Sequence, residues 1–254
     1  GAPRLACRLA AAGQMTPAVW RGAGRLTLPL AELAERPDLL EACGPRLAAE
    51  LPVFCAPQQE EPVMRALRRL KEQGLTHALC GNLGALLMAR EAGLEIIGDY
   101  GLNIINSPAA RQAAELGCGA ITLSFECERG AAKNIASPVP LGVIAYGHLP
   151  LMLLRNCPGK TAAGCGDCPG INHITDRRGE DFPLQCERRR YTHLLNPRPL
   201  LLCDRLPEWD FCDFLTLRFT VESPAECDEV LKMYQTGAAP AGQFTRGLYY
   251  RTLK

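Results

Sequence analysis

The sequence carries almost no net charge, +1 over 254 residues, so no global field draws it to nucleic acid or to an anionic membrane. Lysine is scarce and the cations are nearly all arginine. Arginine suits bidentate contacts to phosphate and carboxylate, although genome composition produces the same bias. No apolar run approaches the ~18 residues a helix needs to cross a bilayer. The opening GAPRLACRLAAAGQ lacks the basic start and long apolar stretch of a secretory signal. It begins on Gly and enters abruptly, as a fragment would, so residues 1–24 read as a lead-in and something upstream as missing. No glycine fingerprint for a dinucleotide follows the early apolar runs, and HExxH and G-x-S-x-G are both absent. Internal repeats and low-complexity tracts are absent too.

What is present is a core-forming composition, 47% apolar and 22% charged, enough for one large domain. Short apolar runs alternate with helix-period segments. The runs are RLTLPL (25–30), LPVFCA (51–56), THALC (76–80), LEIIGDY (94–100), AITLSFE (120–126), LGVIAYG (141–147) and FLTLRFT (214–220). Runs of this length suit parallel strands covered on both faces. Between them, 60–74, 83–93, 107–117 and 223–237 read as helices. Ser107 is the expected N-cap of the third, and Ser223 with Glu226 forms a capping box at the fourth. The pattern predicts an α/β, (β/α) TIM-barrel-like domain over 25–254. Seven candidate strands favour a barrel, whether complete or not, over an open doubly wound sheet.

Residues 156–199 break the rhythm and read as a Cys-rich, metal-binding insertion. Thirteen cysteines, an odd number in no small secreted framework, argue against disulfide stapling and for a reducing, cytoplasmic compartment. Cys55, Cys80, Cys118, Cys203 and Cys212 lie in or beside apolar runs, where free Cys packs as a small hydrophobe. Cys157, Cys165, Cys168 and Cys186 are different: they give C-x7-C-x2-C-x17-C among Gly159, Gly164, Gly166 and Gly170. Four thiolates satisfy a [4Fe–4S] cluster or a tetrahedral zinc. A zinc ribbon presents two short C-x2-C knuckles and only one is here, which favours the cluster. Cys203 and Cys227 are substitute fourth ligands.

YGHLPLMLLRNCP (146–158), GCGDCPG, DRRGEDFPLQC (176–186), FTRGLYYR (244–251) and GDYGLNIINSPAARQAAELGCGAITLSFE (98–126) resemble the peptidase U32 family, in the later portion of its long bacterial members. The resemblance spans most of the chain from about residue 50. It implies a TIM-barrel-like domain, a four-cysteine [4Fe–4S] cluster, a missing N-terminal U32 half as partner, and support of hydroxylation of tRNA uridine, ribosomal RNA cytidine or ubiquinone precursors. Other members are labelled collagenase-like proteases. Glu126 and Tyr146–Gly147–His148 depart from the spacing of shorter members, and no cysteine follows His148.

Candidate substrate-binding residues are Asp99, Asn103, Glu126, His148, Arg155 and Arg246, each with a plainer structural role as the alternative. Asn106 belongs with Asn103. Asp176–Gly179 reads as a turn between two strands, and the arginines of CERRRY (186–191) as an RNA phosphate contact or a solvated run. Three functions follow. The first is an Fe–S-dependent protein supporting hydroxylation of an RNA base, in tRNA or rRNA. The second is a peptidase with a Cys nucleophile and His148 or His173 as base. The third is a zinc-stabilised, non-enzymatic binding module.

Overall fold

A computed structural model describes residues 2–160, 164, 165, 168, 170–238 and 242–251. Seven strands come in succession: β1 (Arg4–Arg8), β2 (Arg25–Pro29), β3 (Leu47–Glu50), β4 (His77–Cys80), β5 (Glu95–Gly98), β6 (Cys118–Thr122) and β7 (Leu141–Gly147). Four more, β8 (Pro150–Leu154), β9 (Ile171–Thr175), β10 (Asp181–Glu187) and β11 (Tyr191–Leu195), precede the short β12 (Leu200–Leu201) and β13 (Phe214–Arg218). Strands β1 to β7 and β13 are parallel neighbours, and the β7 pairings with β6 and β13 close the ring. The barrel is therefore complete, the TIM-barrel-like fold that the sequence pattern predicts.

The missing eighth strand is β1. Arg4–Arg8 pairs with β2 and β13, so the first 24 residues are part of the barrel and not a lead-in. The third strand also moves. It is Leu47–Glu50, and 51–56 is a loop: Leu51 N–H makes a last bond to Leu79 O at 3.0 Å, then Pro52 offers no donor to continue the ladder.

Around the barrel run α1 (Pro17–Gly22), α2 (Leu30–Glu35), α3 (Asp38–Cys43), α4 (Pro57–Glu72), α5 (Leu83–Glu91), α6 (Ser107–Glu115), α7 (Arg129–Lys133) and α8 (Pro224–Thr236). Helix α4 shows how they seat. Val63, Met64, Leu67 and Leu70 fall on one face and are buried, each worth about 2 kcal/mol of burial. Helix α6 is capped by Asn106, whose side chain accepts from Ala109 N–H at 2.9 Å, and not by Ser107. The capping box of α8 is present as expected. A main core fills the space between strands and helices, while Ala48, Leu79 and Ile97 form a separate small cluster.

Strands β8–β11 form a four-stranded antiparallel sheet in the order β8-β11-β10-β9. It caps the barrel mouth: a small cavity brings Gln185, Glu187 and His193 of the sheet together with Arg8, Glu50 and Arg218, the ends of β1, β3 and β13. Among the described residues no helix is long and apolar enough to cross a membrane.

Candidate functional site

Strand ends place four charges at the mouth: Arg8, Glu50 and Arg218 close their strands, and Asp99 follows β5. Arg8 reaches Glu50 through Nε and Nη2, at 2.7 and 2.5 Å, and Asp99 through Nη1 at 2.7 Å. Its side chain is 5% exposed. Burial opposes the Arg8 charge, yet Asp99 and Glu50 hold it well above the ordinary guanidinium range. Glu50 is the better compensated carboxylate: against its burial, Arg8 brings its pKa below the usual value. Asp99 is raised, by burial first. One cation thus neutralises one carboxylate fully and the second in part.

The cap adds two titratable groups. Burial pushes Glu187 up to about 7, with the Glu50 charge second. Burial, then Arg218, lowers His193 to about 4, so its imidazole is neutral at physiological pH. Beneath the cap lies a cavity of about 270 Å3, lined by Glu50, Glu187, Tyr191 and His193 with apolar Leu30 and Val53. A wider groove of about 520 Å3 beside it is lined by Phe54, Leu153, Arg155, Arg190 and Tyr191. Phe54 is 59% exposed there. The cavity pairs an apolar wall with several charged and polar side chains, a lining able to orient a polar ligand.

The cysteine-bearing segments meet at one end of the cap. Strand β8 ends at Leu154, which pairs with Thr192; Thr192 in turn pairs with Cys186. Cys186 N–H donates to Gly170 O at 2.8 Å, bringing the stretch after Cys168 alongside. Gly159 lies so close to β9 and β10 that a Cβ would meet Asn172 Nδ2 at 2.8 Å, which ties down the loop after Cys157. The Arg189 amide donates to Cys186 Sγ at 3.2 Å, and its Nη2 to Cys165 O at 2.8 Å. Cys157, Cys165 and Cys186 are half-buried and Cys168 is exposed; all are free thiols. Among the described residues no three His, Cys, Asp or Glu side chains are drawn close enough to hold a metal ion. Gly166 lies outside the described residues. Cys203 and Cys227 are buried in the 3-10 turn after β12 and in α8, not in the cap.

The turn carrying Arg189 is unusual. Arg188 and Arg189 have φ of 47° and 63°, and Arg190 N–H closes on Glu187 O at 2.9 Å. Left-handed backbone at two successive arginines is strained, and such strain gathers at functional sites. Arg188 also bonds Glu32 and Glu35 of α2, fastening the cap to the barrel.

The other sequence candidates disperse. Of them, Asp99 is in the mouth. Asn103 is exposed in a left-handed turn. Glu126 is exposed, and the helix cap beside it is Glu128. His148 Nδ1 lies 2.7 Å from Asn196 O, and Arg155 stands on the groove. Arg246 is clamped by Asp204 at 2.6 and 2.7 Å and by Leu201 O. His173 is an exposed residue of β9. Asp176 Oδ1 accepts from the Arg178 and Glu180 amides, making the expected turn. Arg8, Glu50, Glu187, His193 and Arg218 were not found from sequence. The one signal was charge inside short apolar strands, as in RLACR (4–8).

No protein-family model matches the chain, and no curated protein does. Among solved structures, a mutant tryptophan synthase α-subunit from the hyperthermophile Pyrococcus furiosus aligns over 92% of this chain and 98% of its own, at 12% identity and TM-score 0.52. The tryptophan synthase α-subunit of Legionella pneumophila str. Paris covers 92% of both chains at 10% identity and TM-score 0.51. The U32 peptidase Mk0906 covers 88% of this chain and 96% of its own, at 14% identity and TM-score 0.49. The tryptophan synthase likenesses are likenesses of fold: a TIM barrel.

Proposed function

We propose that this chain is a U32-like protein that carries a [4Fe–4S] cluster on Cys157, Cys165, Cys168 and Cys186 and supports hydroxylation of a tRNA or rRNA base at the barrel mouth. One observation carries the reading: the register of the cap turns the cysteine-bearing segments toward one end, with Cys186 next in sequence to Glu187 on the cavity wall. The donor set fits such a group, being four thiols, three of them half-buried. An amide donating to Cys186 Sγ is the kind of contact that tunes cluster potentials. When bound, a cluster supplies one-electron redox chemistry.

The remaining work falls to the chain's own side chains. Leu30 and Val53 give the cavity an apolar wall; Glu50, fixed by Arg8, and neutral His193 offer polar partners to a bound base. Exposed Phe54 with Arg155 and Arg190 along the groove suits base stacking and phosphate contact.

A peptidase needs a thiol activated by a neighbouring base. Among the described residues no cysteine hydrogen-bonds a histidine, and burial pushes the Cys7 and Cys118 thiols up to about 12 and about 11. That reading is therefore not favoured. The test is anaerobic iron, sulfide and zinc analysis of the wild type beside Cys168→Ser. Brown protein holding iron and sulfide, lost in the variant, is expected. Colourless protein without iron after reconstitution would overturn the proposal, and stoichiometric zinc would turn it into the binding module.

A further inference from the structure

Away from the mouth cavity, about 300 Å3 of space lies between the end of β7, the start of α8 and the segment around Phe244. Glu222, Glu226 and Glu229 all line it, and among the described residues no Lys or Arg does. Acidic residues alone make no site. Glu222 adds more: it is 8% exposed, and its two oxygens are treated differently. Oε2 accepts from the Thr220 amide at 2.5 Å. Oε1 is buried and has no hydrogen-bond partner among the described residues, a condition that costs free energy until a donor is found.

The nearest nitrogen deepens the deficit. His148 Nε2 stands 4.0 Å from Glu222 Oε1, too far for a hydrogen bond. His148 Nδ1 is 2.7 Å from Asn196 O, and a carbonyl can only accept, so Nδ1 carries the proton. In the neutral ring that leaves Nε2 as an acceptor. Glu222 Oε1 and His148 Nε2 thus face each other across a gap wide enough for a bridging donor, with the Tyr146 hydroxyl against Glu222 on the same wall. A bare metal ion fits poorly, since among the described residues no three carboxylates, imidazoles or thiols converge to ligand distance. A longer cation with several N–H groups fits better, because Val230, Met233 and Phe244 give it apolar walls.

We propose that this cavity binds a primary alkylammonium group, which donates N–H to Glu222 Oε1 and His148 Nε2 and lays its methylenes along Val230, Met233 and Phe244. Exposed Glu226 and Glu229 draw the cation toward the opening. The site is independent of any cluster in the cap. The same chemistry belongs to a free diamine and to a lysine side chain.

Isothermal titration of the full chain with putrescine, with N-acetyl-lysine methylamide and with magnesium chloride tests this. One-to-one binding of an amine is expected, weakened at least about tenfold by Glu222→Gln and about twofold by Glu229→Gln at the rim. Preference for putrescine assigns the site to free amines; preference for the lysine derivative assigns it to a side chain. Equal amine binding by wild type and Glu222→Gln, binding of neither amine, or displacement of the amine by equimolar magnesium would overturn the proposal. If Glu222→Gln does not fold, wild-type stoichiometry and Glu229→Gln decide: several weak equivalents unaffected by Glu229→Gln would mean unspecific charge attraction.

Discussion

In β7 all seven residues are buried, whereas in β8, which starts three residues after β7 ends, Leu151, Met152 and Leu153 are exposed. The barrel and the outer strand of its cap differ in this way, whereas β11, inside the cap, is buried at four of its five positions. Every barrel strand has two neighbours and a helical layer outside it, so apolar burial alone can hold it. Among the described residues the cap sheet ends at β8 and at β9, and its burial is concentrated in β11 and Leu184. It rests on the barrel through polar contacts, Arg188 on α2 and His193 near Glu50. A small sheet so placed depends on its docking and on any metal centre it encloses.

The largest break in that division should come at Arg8, the buried charge on which the mouth is assembled. Arg8→Met takes from Glu50 and Asp99 their hydrogen-bonded cation and leaves only the charge of Arg218 nearby, and loss of one partner from a buried ionic group costs about 3–5 kcal/mol. Urea unfolding at pH 7 measures it. A loss below about 1 kcal/mol would mean that water reaches both carboxylates and that the mouth is not sealed.

A smaller, pH-dependent effect should separate cap from barrel. His193 lies in the cap, is 7% exposed, and has its pKa lowered from 6.5 to about 4. Between those two values the unfolded chain binds a proton that the folded one refuses. Stability is therefore fully present above pH 6.5, falls as pH drops, and has lost about 3 kcal/mol from this group by about pH 4. Hydrogen-exchange protection factors of β10 and β11 amides, taken relative to the intrinsic exchange rate at each pH, should fall through this window while those of β4–β7 amides hold. His193→Gln should flatten the dependence; an unchanged slope would assign it to other groups.

Much of this division was legible in the sequence. Strands made of Leu, Ile, Val and Phe, such as LGVIAYG and FLTLRFT, announced themselves, because residues buried on both faces leave continuous apolar runs. Strands β1 and β3 did not: RLACR is bracketed by charge, and LAAE lacks the β-branched residues that mark a strand. The cysteine spacing singled out the insertion, but the hairpin register that turns its segments to one end depends on pairings such as Cys186 with Thr192. The mouth was illegible for a different reason. Arg8 meets Glu50 and Asp99 across 42 and 91 residues, and the need for a buried cation is visible only once the barrel has closed.

The smallest effect probes whether the cap's strain serves its cysteines. A β-turn with both central φ positive favours Asn and Gly, yet Arg188 and Arg189 are the central residues of this one, in a three-residue loop between Glu187 and Tyr191. Left-handed backbone costs a non-glycine residue about 1 kcal/mol or more, so Arg189→Gly should stabilise the metal-free cap by about 1 kcal/mol, read as slower exchange at β10 and β11 amides. The same change removes the Nη2 contact to Cys165 O while keeping the amide that faces Cys186 Sγ. If the arginine is there to draw the two cysteine segments together, Arg189→Gly should hold less iron after anaerobic reconstitution despite its firmer fold. Stability and iron content would then move in opposite directions, as expected where local strain is retained for a site. A rise in both would make Arg189 an ordinary, ill-suited turn residue and would detach the strain from the chemistry.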